Sequence, residues 1–110
     1  MNNLFQIALS FRTAIEEAVR AGEIPEMMSF PCGCCGFASE LLQRYLIEEQ
    51  GTFTGYMSGR YGYGWDGESH AWVETMDGTV IDITGDQYKY KKFKFAEPIY
   101  VGTRSDGFHD

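Results

Sequence analysis

No apolar run in these 110 residues approaches the roughly 20 needed to cross a bilayer, so no membrane-spanning helix is expected. Positive charge is scarce, with nine Lys and Arg against 16 Asp and Glu and a formal net charge of −7. Such a field repels phosphate backbones and argues against nucleic acid as a partner. The one basic cluster, Lys89, Lys91, Lys92 and Lys94, alternates with Tyr90, Phe93 and Phe95 and reads as the solvated face of a strand. Cysteines number three, an odd count, crowded into Cys32-Gly33-Cys34-Cys35. A disulfide scaffold would spread an even number along the chain, so a reducing cytoplasm is the expected compartment. The N-terminal residues lack a basic region followed by an apolar stretch and a small-residue cleavage site, and are not read as a signal peptide. Repeats, low-complexity tracts and linkers are absent as well. Hydrophobic residues make up 44% and aromatics 15%, enough for a packed interior. One domain over residues 1–110 is expected.

The chain changes character at Gly51. Before it, Leu4, Ile7, Phe11, Ile15, Ala18 and Val19 recur at three- and four-residue spacing, which predicts a helix over 3–21. Asn3 is its expected N-cap and Gly22 its stop, with Pro25 preventing continuation. A second helix is expected from Cys35 to Gly51, turning Leu41, Leu42, Tyr45 and Leu46 inward. After Gly51, β-formers and glycines take over. Strands are expected at 52–58, 70–75, 79–84, 88–95 and 98–102, with a long glycine- and tyrosine-rich loop over 59–69. Helices followed by mostly antiparallel strands predict an α+β fold, the helices packed on an antiparallel sheet.

Three places carry candidate chemistry. A glycine-flanked cysteine pair, Gly33-Cys34-Cys35-Gly36, lies where a loop becomes a helix, and the positive end of a helix favours thiolate. Gly33 and Gly36 leave room for a substrate beside the sulfur. His70-Ala71-Trp72-Val73-Glu74 and Val80-Ile81-Asp82-Ile83-Thr84 supply an imidazole and a carboxylate on neighbouring strands. A cysteine nucleophile needs an imidazole within reach, and the imidazole needs an acceptor on its other nitrogen. An aspartate inside an apolar strand is costly without such a partner. Alternation makes the pairing depend on register. A two-residue turn at Asp77-Gly78 would put His70 and Asp82 on opposite faces. A three-residue turn, Met76-Asp77-Gly78, pairs Trp72 with Asp82 and sets His70 diagonally beside the carboxylate. The triad therefore predicts an odd turn or a bulge. Trp72 is expected as core or pocket wall at a substrate site, and Trp65 within a flap over it.

A Gly-x-Cys at a helix start, then His-Ala-Trp-x-Glu, then Asp on the next strand, resembles the transglutaminase-like branch of the papain-like cysteine enzymes, with the lasso-peptide leader peptidases a parallel. The stretches 30–39 and 80–88 are similar to small bacterial transglutaminase-like proteins. The resemblance covers about residues 30–102. It implies a papain-like core and a Cys-His-Asp triad that carries onto Cys35, His70 and Asp82, with Cys34 the competing nucleophile. It also implies a peptide or protein substrate, acyl transfer from an amide by peptidase, deamidase or transamidase chemistry, and no cofactor. The Cys35 backbone N–H would form part of an oxyanion hole. The second donor stays open among Gln6, Trp65 and several tyrosines. The other reading is a zinc-binding, non-catalytic module built on Cys32, Cys34 or Cys35 and His70, although Cys-x-Cys-Cys lacks the two-residue ligand spacing of common zinc knuckles.

Overall fold

The computed structural model describes residues 3–30, 34–61, 68–88, 97–107 and 109. Helix α1 (Leu4–Arg20) is followed by a 3-10 turn at Pro25–Met27 and by helix α2 (Cys35–Gln50). Strands β1 (Thr54–Tyr61), β2 (Glu68–Thr75) and β3 (Val80–Asp82) come next, then a 3-10 turn at Gly85–Tyr88 and strand β4 (Tyr100–Gly102). The strands form one antiparallel sheet in the order β1-β2-β3-β4. Helix α2 packs against β1 and β2, and α1 against β3 and β4, which gives the expected α+β layering. No helix among the described residues is long and apolar enough to cross a membrane.

Both helices end where glycine permits a left-handed turn. Gly22 has φ +73°, its N–H bonds Val19 O at 3.0 Å, and the Glu23 N–H reaches back to Ala18 O at 2.9 Å. Those two bonds satisfy carbonyls that the helix leaves without partners. Gly51, at φ +65°, closes α2. At the other end of α1, Asn3 occupies the N-cap position but its side chain caps nothing; only its carbonyl takes part, accepting from Ile7 N–H at 2.8 Å. The core joins Leu4, Ala8 and Ile15 of α1 to Ala38, Leu42 and Leu46 of α2, and to Val73 and Ile81 of the sheet. Ile7, Phe11, Val19 and Leu41 are partly buried against it.

The β2–β3 turn has three residues. Gly78 is left-handed at φ +88°, its N–H bonds Thr75 O at 3.0 Å, and Thr75 N–H bonds Thr79 O at 3.0 Å. Val73 then faces Ile81 and Glu74 faces Val80, so the next position along places Asp82 across from Trp72. This is the register the triad requires.

Other boundaries moved. Strand β1 runs through Gly59, Arg60 and Tyr61, residues expected in the loop, because they keep pairing with β2, Gly59 opposite His70 and Tyr61 opposite Glu68. Strand β3 stops at Asp82 because the Asp82 carboxylate accepts the Thr84 N–H at 2.9 Å and turns the chain out of the ladder. Of the expected strand 88–95, Tyr88 ends a 3-10 turn. The rest of that strand, with the cluster Lys89, Lys91, Lys92 and Lys94, lies outside the described residues.

Arg12, unremarked in the periodicity of α1, is only 7% exposed. Its guanidinium spans both Asp86 oxygens at 2.7 Å each and bonds Glu16 at 3.0 Å. It also reaches the carbonyls of Ile83 and Pro98 at 3.0 Å and lies 5.0 Å over the Phe30 ring. Burial alone would lower its pKa, but Asp86 and Glu16 outweigh that and raise it. One side chain thus ties α1 to the segment directly after Asp82. Arg12→Met should lower the free energy of unfolding by about 2–4 kcal/mol, since it strands Asp86 and two carbonyls together. Urea titration measures this, and a loss below about 1 kcal/mol would mean the cluster is held by packing alone.

Candidate active site

The site begins at the first turn of α2. Cys35 is the first helical residue, Cys34 holds the N-cap position, and no side chain caps the helix there. First-turn N–H groups have no acceptor within the helix, and the helix dipole favours negative charge at this point. The two thiols differ in access: Cys34 is buried at 3% exposure, whereas Cys35 is half-buried. Cys32 lies outside the described residues. Gly36 follows, and a Cβ there would sit 3.2 Å from the Tyr56 hydroxyl of β1. Tyr56 is held above its ordinary pKa by burial first, then by Cys35 and Glu40, so its O–H remains a donor near the sulfur.

His70 stands on β2 past the end of the β2–β3 ladder, where the first turn of α2 meets it. Its Nε2 contacts Asp82 Oδ2 at 2.7 Å, with both side chains at most 1% exposed. A side-chain hydrogen bond also joins His70 to Cys35. With Nε2 committed to Asp82, Nδ1 is the ring position left for the thiol. Burial alone would push the imidazole down, but the Asp82 charge and hydrogen bond, with Cys35 behind them, raise it to about 9. Asp82 is pushed up by burial and pulled down further by His70 and His109, ending well below the usual carboxylate range. The three residues expected as a triad are therefore brought together, from α2, β2 and β3.

The substrate-contacting residues fare differently. Trp72 is 1% exposed, donates its indole N–H to Glu74 Oε2 at 2.9 Å, and lies 5.9 Å from the His70 ring. That burial fits its expected place as core or wall: it packs behind the imidazole. Gly36 follows Cys35 with the Tyr56 hydroxyl close to where a side chain would stand. Trp65, with most of the expected flap, lies outside the described residues. Gln6 is exposed on α1.

One member was missed. His109 Nε2 contacts Asp82 Oδ2 at 2.6 Å, the same oxygen that His70 uses, and its side chain is fully buried. Its ring meets Trp72 edge-on at 4.8 Å and stacks on Tyr100 at 5.5 Å. A sequence signal existed, since the chain has only two histidines. His70, Asp82 and His109 are also the described residues whose ligand atoms cluster tightly enough, within 4.8 Å, to suggest a metal. Their spacing argues otherwise. Nitrogen ligands about 2.0–2.1 Å from tetrahedral zinc stand roughly 3.3 Å from neighbouring donor atoms. The 2.6 and 2.7 Å contacts here are hydrogen bonds to one oxygen.

Comparisons with family models, curated proteins and solved structures return no match for this chain.

Folding raises the His70 pKa from about 6.5, so its contribution to stability is fully present below about pH 6.5. That contribution is lost as pH climbs through about 9. Asp82 has the opposite sign, its contribution being present above about pH 4 and lost on acidification below it. The pair should therefore give a urea midpoint that is highest between about pH 4 and 6.5 and falls toward pH 9. In Asp82→Asn the alkaline decline should flatten. The same slope in both proteins would show that Asp82 does not set the His70 charge.

Proposed function

We propose that this chain is a cysteine acyl-transfer enzyme that acts on an amide bond of a peptide or protein, as its resemblance to the transglutaminase-like enzymes implies. The observation that carries the reading is a continuous hydrogen-bonded chain from a half-buried thiol through a buried imidazole to a buried carboxylate, Cys35–His70–Asp82, assembled from three separate elements. A structural cysteine needs no imidazolium, and a structural histidine needs no thiol at its other nitrogen.

The chemistry follows from the positions. Proton transfer from Cys35 to His70 gives thiolate and imidazolium, and the thiolate bonds to the carbonyl carbon while its π pair moves to oxygen. The Cys35 N–H and the Tyr56 hydroxyl are the donors for that oxyanion. The tetrahedral species collapses, the C–N bond breaks, and His70 delivers its proton to the departing nitrogen. Water or an amine then attacks the thioester, passes a proton to His70, and releases Cys35 as the C–S bond breaks. Asp82 keeps Nε2 of His70 protonated throughout. Cys34 and Cys35 outside any disulfide suit a reducing, cytoplasmic setting.

Brief, sub-stoichiometric iodoacetamide treatment at pH 7, read by residue-resolved mass spectrometry, tests the assignment. The label should fall on Cys35 and slow by about tenfold or more in His70→Ala, because a thiol without its imidazolium is only a few per cent ionised there. Label concentrated on Cys34 would move the nucleophile by one residue. A rate indifferent to His70, or stoichiometric zinc in the purified protein, would overturn the catalytic reading in favour of a zinc-binding module.

A further inference from the structure

The segment after β4 is shaped around His109. Tyr100 donates its hydroxyl to Thr103 O at 2.6 Å, and Gly107 N–H turns back to Thr103 O and Arg104 O at 3.3 and 3.2 Å. His109 N–H bonds Arg104 O at 2.8 Å, and the Arg104 guanidinium grips both Glu74 oxygens at 2.6 and 3.2 Å. Glu74 also takes the Trp72 indole N–H, so the segment is fastened to the strand that carries His70. Gly107 leaves no space for anything larger than hydrogen. A Cβ there would stand 2.5 Å from the Tyr100 ring and 2.7 Å from His109 Nδ1. The turn closes only because that position is glycine, and what it closes on is the imbedded imidazole between Tyr100 and Trp72.

The outcome of this packing is polar. A buried residue needed only to fill the space beside Trp72 would be apolar. Instead, an imidazole nitrogen is delivered to Asp82 Oδ2 at 2.6 Å. With His70 on the same oxygen and Thr84 N–H on Oδ1, the carboxylate is held from three sides. Among the described residues, the titratable and charged groups around His70 are Cys35 from α2, Asp82 from β3 and His109 from this segment. Glu74, Arg104 and Tyr100 lie one layer out, and Tyr56 and Glu40 lie beyond Cys35.

We propose that residues 103–107 and His109 form a positioning arm of the active site, in which His109 donates from Nε2 to Asp82 and so fixes the carboxylate on His70, sustaining the Cys35–His70 ion pair. This rests on the catalytic reading above. His109 is a positioning residue, since it touches neither the thiol nor any reacting atom.

The test is the pH dependence of Cys35 alkylation by iodoacetamide in the wild type, His109→Leu, His109→Gln and Gly107→Ala, with circular dichroism to establish folding. In the Leu variant Asp82 loses one of its three holds and can shift against His70, so thiolate should form at higher pH and the neutral-pH rate should fall roughly 10- to 100-fold, the scale set by a displaced catalytic group. Glutamine, whose amide nitrogen can donate where Nε2 did, should restore most of the rate. Gly107→Ala, which leaves His109 unchanged but evicts it, should behave as the Leu variant does. A wild-type profile in His109→Leu, or equal loss in Leu and Gln, would overturn the arm. Imidazole ¹H–¹⁵N spectra give an independent reading: His109 should be protonated at Nε2, and the His70 Nε2 proton should shift in His109→Leu. An unshifted His70 signal would also overturn the proposal. Should the wild-type profile prove indifferent to His70→Ala, the catalytic reading fails, while the spectra still decide whether His109 positions Asp82.

Discussion

Asp82 carries a negative charge at about 1% exposure, and removing such a group from water is tolerable only when donors and positive charge surround it. Every nearby element contributes to that end. Strand β2 supplies His70, the bend after β3 supplies the Thr84 N–H, and the segment after β4 supplies His109. The same carboxylate that would be a defect in an apolar strand ends β3 and raises the imidazole it faces. The energetic requirement of one buried charge and the proposed chemistry of one thiol are met by the same contacts, so neither is separable from the other in this fold.

Two pieces of scaffolding keep the contacts in register. The turn at 76–78 counts residues: one fewer would send His70 and Asp82 to opposite faces of the sheet, because side chains alternate along a strand. Arg12 works at the other end of β3. By binding Asp86 and the carbonyls of Ile83 and Pro98, it holds the chain that leaves Asp82, and it does so from α1, whose remaining inward residues are apolar. Helix α2 is positioned separately, through Leu42 and Leu46 in the core, with Gln43 Nε2 reaching Thr54 O at 3.2 Å.

Much of this was legible from residue order. Both helices announce themselves by spacing and end at Gly22 and Gly51. The pairing of His70 with Asp82 followed from the chemistry each needs, and the triad's demand for a three-residue turn was met by Gly78. What escaped notice escaped for physical reasons. Arg12 reads as a solvated charge on a helix, because no local pattern shows a partner 74 residues away. His109 follows a mostly polar stretch with Gly107 and Phe108 and no periodicity, and its role depends on a chain reversal that only tertiary packing produces. Strand β1 outran its expected end because pairing with β2 overrides the low β-propensity of Gly59 and Arg60. Alternation puts Trp72 on the same face as His70 and Asp82, and its burial there gives it the core-or-wall place that the sequence suggested.

The separation of 27 residues between Asp82 and His109 also orders events in time. Translation runs from the N-terminus, so the helices, the hairpin and the carboxylate are made before the second imidazole. At about 5–20 residues per second, that interval is roughly one to five seconds. During it the nascent chain carries Asp82 and His70 with the second imidazole still to be made.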